Sequence, residues 1–165
     1  MKTKIIIVVL VLLNLIFLSS CNTPNENPPS GLLIKADGSD MLSYIDEPIA
    51  AYSPFMSRVP GFPIELSFPD SKISVTVDYG TILFWGEDTS DKVLEKGQTI
   101  TFNSPYTIYW SPLDDKNTDS NNVQKATMNI EFDTQGTCVN AVIEFNMDLN
   151  DVYTATLKQL DTNEK

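Results

Sequence analysis

The chain has 165 residues, of which 11 are basic and 22 acidic, and it contains two cysteines and no histidine. A formal net charge of −11 disfavours nucleic acids and anionic membrane surfaces as partners, because both would be repelled. The absence of histidine excludes Ser-His-Asp and Cys-His catalytic arrangements and the HExxH zinc motif.

Residues 1–20 have the three parts of an export signal. Lys2 and Lys4 give a positive start, residues 5–18 form an apolar stretch, and two serines follow. The apolar stretch has 14 residues, whereas a membrane-spanning helix needs about 20. We therefore expect this segment to be a signal peptide that is removed.

The signal ends in the motif Leu18-Ser19-Ser20-Cys21. This motif resembles the lipobox of bacterial lipoproteins, in which a leucine and two small residues precede an invariant cysteine. The resemblance implies cleavage before Cys21, a diacylglycerol on the Cys21 sulfur, and often a fatty acid such as palmitate on the new amino terminus. It also implies an extracytoplasmic protein anchored to the cell membrane, or to the outer membrane in a Gram-negative host. The alternative is an ordinary secretory signal with a chance cysteine.

After the signal, residues 21–30 are rich in proline and asparagine and contain no aliphatic side chain. This composition predicts a semi-extended tether that buries nothing. Residues 31–165 are long enough for a single domain with an ordinary core. Without Lys2 and Lys4 the chain keeps 9 basic and 22 acidic side chains, a balance of −13. Such a surface favours a soluble, monomeric body that only the lipid holds at the membrane.

The body shows period-two alternation of apolar and polar residues in short segments, and no amphipathic helical pattern. In residues 73–79, for example, the apolar side chains occupy the odd positions and the polar ones the even positions. One buried and one solvated face predict an all-β fold, a single antiparallel, immunoglobulin-like β-sandwich of about eight or nine strands. The predicted strands are Leu32–Ala36, Ile64–Phe68, Ile73–Tyr79, Thr81–Trp85, Gln98–Phe102, Tyr106–Trp110, Ala126–Phe132, Val139–Met147 and Val152–Leu160.

Two turn sequences predict hairpins between these strands. Asp78–Gly80 and Asp133–Gly136 each place a glycine where a tight turn with a positive φ angle favours it.

Residues 96–114, KGQTITFNSPYTIYWSPLD, resemble extracytoplasmic sandwich domains of Gram-positive bacteria, including tails of membrane-embedded zinc peptidases. The peptidase motif itself is absent, so this resemblance implies no activity.

Carboxylate chemistry is the catalytic alternative that the composition leaves open. A polysaccharide hydrolase of this kind needs two carboxyl groups flanking the glycosidic bond. Nothing in the sequence pairs any two acidic residues, so we interpret them as parts of solvated strand faces. The acidic residues on strands or strand ends are Glu65, Glu87, Asp88, Glu131 and Glu144.

One acidic loop resembles part of a calcium site. Its oxygen-bearing side chains alternate as they do at the first, third and fifth positions of an EF-hand loop. However, Ser120 stands where that loop needs glycine, and Ala126 stands where it needs a bidentate glutamate. A hydrated hairpin loop is the favoured interpretation, calcium is the alternative, and no other cofactor is predicted. The candidate ligands are Asp115, Asn117, Asp119 and Asn121.

Residues 41–63 combine four prolines with several aromatic side chains. Prolines at this density disfavour a helix or a central strand, and the apolar content disfavours disorder. Arg58, the only arginine in the chain, can hold a carboxylate or phosphate through two hydrogen bonds. The favoured interpretation is a loop that covers one end of the sandwich, with its aromatic rings in the core and Arg58 paired to an acid. The alternative is a binding loop with the contacts Tyr52, Phe55, Arg58 and Phe62.

Two tryptophans, one tyrosine and one cysteine are further candidates for a site. Trp85 and Trp110 are expected in the core, whereas Tyr109 points away from Trp110 to a wetter face, where it could stack on a sugar. Cys138 is the only cysteine besides Cys21, which excludes an intramolecular disulfide once Cys21 is lipidated. We expect Cys138 to be buried as a small apolar side chain, with an exposed redox-active thiol as the alternative.

Together these features predict a lipid-anchored extracytoplasmic lipoprotein whose domain binds or senses a partner without catalysis. The partner would be a cell-wall component, an exported protein or a small ligand, and not a nucleic acid. The two alternatives are a polysaccharide hydrolase that uses paired carboxylates and a structural or inhibitory lipoprotein.

Overall fold

A computed structural model describes residues 27–85, 93–112 and 124–164 of the chain. These residues form strands and turns; none of them forms a helix, and therefore none belongs to a helix that could cross a membrane. The strands are β1 (Leu33–Ala36), β2 (Ser39–Asp40), β3 (Pro48–Tyr52), β4 (Phe62–Ser67), β5 (Lys72–Val77), β6 (Thr81–Trp85), β7 (Val93–Gly97), β8 (Thr99–Asn103), β9 (Tyr106–Ser111), β10 (Lys125–Asp133), β11 (Thr137–Met147) and β12 (Tyr153–Glu164).

The strands form two sheets. Sheet 1 has the order β2-β1-β4-β9-β6-β7, and sheet 2 has the order β3-β12-β11-β10-β5-β8. Neighbouring strands are antiparallel throughout both sheets. All nine predicted strands are present, so the all-β, antiparallel fold predicted from the alternation is confirmed. The immunoglobulin-like identity of the sandwich stays a prediction.

The inward faces of the two sheets form one hydrophobic core. At its centre the Trp110 ring of sheet 1 stacks on the Phe145 ring of sheet 2, with 4.1 Å between centroids, and Tyr153 meets Trp110 edge-on at 5.2 Å. The indole N–H of Trp110 donates to the carbonyl of Tyr79 at 2.9 Å, so its polar group is satisfied. Burying a phenyl or aliphatic side chain contributes about 1.5–3 kcal/mol, and such contacts therefore hold the sheets together.

The three strands that the alternation did not predict, β2, β3 and β7, all lie at sheet edges. β3 lies within residues 41–63, so the expectation of a loop throughout this segment is wrong. Pro48 is the first residue of this edge strand, a position where its missing N–H removes no hydrogen bond from the interior of the sheet. Edge strands are short and partly solvated, and alternation is a weak signal for them.

The two predicted turns have different outcomes. Gly80 has the expected positive φ, +82°, but it connects β5 of sheet 2 to β6 of sheet 1, so the predicted hairpin at this position is wrong. Residues 133–136 do form the predicted hairpin between β10 and β11. The Thr134 hydroxyl accepts the N–H of Thr137 at 2.9 Å and donates to its carbonyl at 2.8 Å. These bonds close the turn without a positive φ at Gly136.

The two ends of the sandwich differ, and we name them the tether pole and the far pole. At the tether pole Gly31, where the chain enters the domain, lies close to Pro69. The hairpin 133–136, which connects β10 to β11 of sheet 2, lies at the same end. At the far pole, residues 53–61 connect β3 of sheet 2 to β4 of sheet 1 beside the turn 148–152, because the end of β3 pairs with the start of β12. The far pole is therefore at the end of the sandwich opposite to Gly31, the residue to which the predicted tether, residues 21–30, would lead.

Candidate functional site

The segment 41–63 is divided between the core and the surface. Met41 and Phe62 are fully buried, and Tyr52 is nearly so. The ring of Tyr52 lies 5.5 Å from that of Phe62, which in turn lies 5.5 Å from Phe145 across the core. Burial raises the pKa of Tyr52 above its ordinary value. Two of the four candidate binding residues, Tyr52 and Phe62, are thus core residues.

The other two candidates, Phe55 and Arg58, lie at the surface of the far pole. Phe55 is 74% exposed and its neighbour Met56 is 85% exposed. Arg58 is also exposed, and it forms no ion pair with any residue that the structure describes. The N–H groups of Met56 and Ser57 donate to the carbonyl of Ser53 at 3.1 and 3.0 Å. A hydrogen-bonded turn therefore holds these side chains out toward the solvent.

A second turn adds another apolar side chain to this pole. Leu149 is fully exposed between β11 and β12. The Asp148 carboxylate accepts the backbone N–H groups of Val152 at 3.0 Å and Asn150 at 2.8 Å, and these bonds lower the pKa of Asp148. Val152 and Met56 line one shallow depression, so the two turns are neighbours. We name the exposed apolar side chains of these turns the far-pole patch: Phe55, Met56 and Leu149.

A different surface feature lies on the outer face of sheet 1, where Trp85 and Tyr109 are both half-buried. Their rings meet edge to face, with 5.7 Å between centroids and 85° between planes. Trp110 lies in the core and Tyr109 on the outer face, as predicted, but the expected core position of Trp85 is wrong. Residues 82–85 are apolar at every position and therefore hide the alternation that turns Phe84 inward and Trp85 outward.

The rings of Trp85 and Tyr109 border an open depression of about 550 Å³, which we name the sheet-1 depression. Glu65 of β4 and Thr107 of β9 line this depression and are paired in register, and Lys35 of β1 is paired with Glu65 on its other side. The Lys35 ammonium lies 4.0 Å from the Glu65 carboxylate. The depression thus combines an aromatic corner with a carboxylate and a hydroxyl.

The predicted carboxylates do not come together within the described part of the chain. Glu65 lines the sheet-1 depression. Glu144 and Glu131 lie on sheet 2, where Glu144 pairs with Lys125 at 2.9 Å. The other two candidates, Glu87 and Asp88, lie outside the described residues.

Two carboxylates that sequence reasoning missed do line one depression. Asp70 and Asp133 border an open polar depression of about 600 Å³ at the tether pole, together with Lys72. Asp133 ends β10 and Asp70 precedes β5, and the register pairs Asp133 with Lys72. Only the pairing of β5 with β10 brings these residues together, since they are far apart in the sequence.

Cys138 is half-buried on the outer face of sheet 2, so its expected place in the core is wrong. Successive side chains of a strand alternate between faces, and the neighbouring Val139 is the residue that points inward. The Cys138 sulfur lies 3.8 Å from a carboxylate oxygen of Glu131 and 3.8 Å from the side-chain nitrogen of Asn140. The thiol therefore has a polar environment.

Neither a metal cluster among the described residues nor a related protein marks a site. No three Cys, Asp or Glu side chains in residues 27–85, 93–112 and 124–164 are grouped so that they could hold a metal ion. The calcium candidates Asp115, Asn117, Asp119 and Asn121 lie outside these residues. Comparisons with protein-family models, curated protein sequences and solved structures give no match to this chain. The far-pole patch and the sheet-1 depression are two places where exposed apolar or half-buried aromatic side chains occur together with polar groups, and we take them as the candidate binding sites.

Proposed function

We propose that this chain is a lipid-anchored extracytoplasmic lipoprotein whose sandwich, immunoglobulin-like in type, binds a partner at its far pole without catalysing a reaction. The lipobox-like motif ending at Cys21 supports the anchor. The partner is an exported protein or a cell-wall component that carries an apolar surface next to a carboxylate or phosphate.

The observation that carries this proposal is the position of the far-pole patch relative to the tether. The chain enters the domain beside Pro69 at one end, whereas Phe55, Met56 and Leu149 are exposed at the other. Exposed apolar clusters lower solubility unless a partner covers them, so they often mark interaction surfaces. A domain anchored through its tether would present this patch away from the membrane.

Arg58 gives the patch its chemical selectivity. It is exposed within the same turn-rich segment, and the exported chain as a whole is strongly acidic, with a side-chain balance of −13. A guanidinium binds a carboxylate or phosphate through two parallel hydrogen bonds. An anionic group on the partner is therefore tolerated next to Arg58, while the rest of the surface repels it.

The binding half of the proposal is tested by crosslinking the protein to its neighbours in the cell and comparing Phe55→Ala and Arg58→Ala with the wild type. Lys72→Ala is the matched control, because it removes an exposed cation at the tether pole. We expect the first two variants to lose the crosslinked partner at an unchanged melting temperature, and the control to keep it. Variants that melt earlier but keep the partner would show that this segment only covers the core.

The anchoring half is tested by metabolic labelling with a fatty acid. The wild-type chain should incorporate the label and fractionate with membranes. Cys21→Ser should do neither, and should accumulate as uncleaved precursor or as released protein. A wild-type chain that takes up no label would refute the lipid anchor, whatever the crosslinking shows.

A further inference from the structure

The sheet-1 depression is distinct from the far-pole patch. Trp85 and Tyr109 lie on neighbouring strands of the outer face and meet almost at a right angle. Two partly exposed rings in this arrangement form a corner, in which a flat apolar ring can stack on one wall and touch the other with its edge.

Polar side chains of the described residues lie beside this corner. Glu65 and Thr107 face each other across β4 and β9 and line the depression together with both aromatic rings. A carboxylate accepts several hydrogen bonds, and a threonine hydroxyl both donates and accepts. The Lys35 ammonium lies 4.0 Å from the Glu65 carboxylate, a partly exposed and therefore weak ion pair.

We propose that the sheet-1 depression is a carbohydrate site that binds one pyranose ring of a neutral glycan. A pyranose has an apolar face of C–H groups, which stacks on an aromatic ring, and a rim of hydroxyls, which donate to Glu65 and exchange hydrogen bonds with Thr107. The depression, about 550 Å³, has the size of a small-molecule site with mostly apolar walls and a few polar groups.

The charge of the molecule selects among the aromatic-stacking ligands. Nucleotides and acidic polysaccharides also offer rings, but a side-chain balance of −13 in the exported chain repels their phosphates and carboxylates. Glu65, which lines the depression, opposes such anionic groups directly. A neutral sugar meets neither obstacle and supplies the hydroxyl donors that a carboxylate needs.

We assign binding and no cleavage to this site. Retaining and inverting glycosidases both require a pair of carboxyl groups around the scissile bond. Glu65 is the only carboxylate among the described residues that line this depression. No bond-breaking step is therefore assigned to it.

The test uses the full-length chain, purified in detergent, and soluble hexasaccharides. The probes are β-1,4-linked glucose and N-acetylglucosamine hexamers, with a galacturonate hexamer as the anionic comparison. Titration calorimetry gives the affinity, and tryptophan fluorescence reports the site, because Trp85 is partly exposed while Trp110 is fully buried. We expect at least one neutral hexamer to bind and to change the fluorescence, and the anionic hexamer to bind more weakly.

Three variants test whether the sugar binds at the aromatic corner. Trp85→Ala should weaken neutral sugar binding at least about tenfold, as loss of a stacked ring does in other ring-stacking sites, and Trp85→Phe should keep most of it. Phe55→Ala should bind sugar normally, which distinguishes this site from the far pole. The emission of Trp110 and the melting temperature check that each variant is folded.

Three results would overturn the proposal: no binding of either neutral hexamer, tighter binding of the galacturonate hexamer, or unchanged sugar affinity in a folded Trp85→Ala variant. Trp85 and Tyr109 would then only cover the outer face of sheet 1. None of these results would affect the far-pole proposal, which rests on Phe55, Arg58 and the crosslinked partner.

Discussion

Replacing single glycines by alanine measures how closely the backbone approaches Trp110. A Cβ atom at Gly80 would lie against the carbonyl of Ser111 and 2.7 Å from the indole nitrogen of Trp110, and Gly80 also has a φ of +82°. At Gly61 the added atom would lie 2.6 Å from the Trp110 carbonyl, but φ is not positive. Gly38 has a φ of +77° with nothing within 4 Å of the added atom.

The four glycines in question separate the two costs, because Gly136 carries neither of them. Gly136→Ala should stabilise by about 0.4–1 kcal/mol, since alanine restricts the unfolded chain. A left-handed φ costs an alanine about 1–2 kcal/mol, so Gly38→Ala should cost about 1 kcal/mol net. Overpacking costs about 1–3 kcal/mol, which gives about 1–2 kcal/mol net for Gly61→Ala. Gly80→Ala combines both costs, and we expect about 2–4 kcal/mol.

Urea unfolding followed by tryptophan fluorescence gives the free energy of unfolding of each variant. A domain of this size is stable by about 5–15 kcal/mol, so the variants should remain folded enough to compare. From most to least stable, we expect Gly136→Ala, the wild type, Gly38→Ala, Gly61→Ala and Gly80→Ala. The free energies of unfolding of Gly38→Ala and Gly61→Ala should be close to each other. If Gly80→Ala is no less stable than Gly38→Ala, Gly80 does not approach Trp110 as described.

Three further predictions concern the isolated domain. A chain starting at Gly31 should fold, with a β-type circular dichroism spectrum, because the described core begins at Leu32; a helical or disordered spectrum would contradict it. Burial raises the pKa of Tyr153 to about 12, against about 10 in an unfolded chain. The stability that the protonated Tyr153 hydroxyl contributes is therefore complete below about pH 10 and is lost as the pH rises toward 12. In pH-dependent unfolding, Tyr153→Phe should reduce this loss of stability. Cys138, half-buried, should react with a small thiol reagent in the folded state; a reaction only at the rate of unfolding would place it in the core.

The sequence by itself was sufficient for the fold class and for most of the core. Long strands such as β10 and β11 bury every second residue, and this alternation is a local property that can be read without a partner strand. Fully buried residues such as Ile73 and Phe145 followed directly from it. The lipobox-like motif at Cys21 is likewise local, so the proposed anchor needs no tertiary structure.

Local patterns did not predict an apolar residue that lies on an outer face, or a strand whose own sequence disfavours it. Trp85 stands in a run that is apolar at every position, and only the pairing of β6 with β9 turns it toward Tyr109 on the outer face. The edge strand β3 forms because β12 offers it a free edge, although its own sequence contains a proline.

Both candidate sites were decided by tertiary structure. The far-pole patch places Phe55 and Met56 at the same end of the sandwich as Leu149, and the sheet-1 depression joins Glu65 to Trp85 and Tyr109. In each case the residues are distant in the sequence and come together only when strands pair in one particular register. Alternation determines which face of a strand is buried, but register depends on the summed packing of both sheets, and no short stretch of sequence contains that sum.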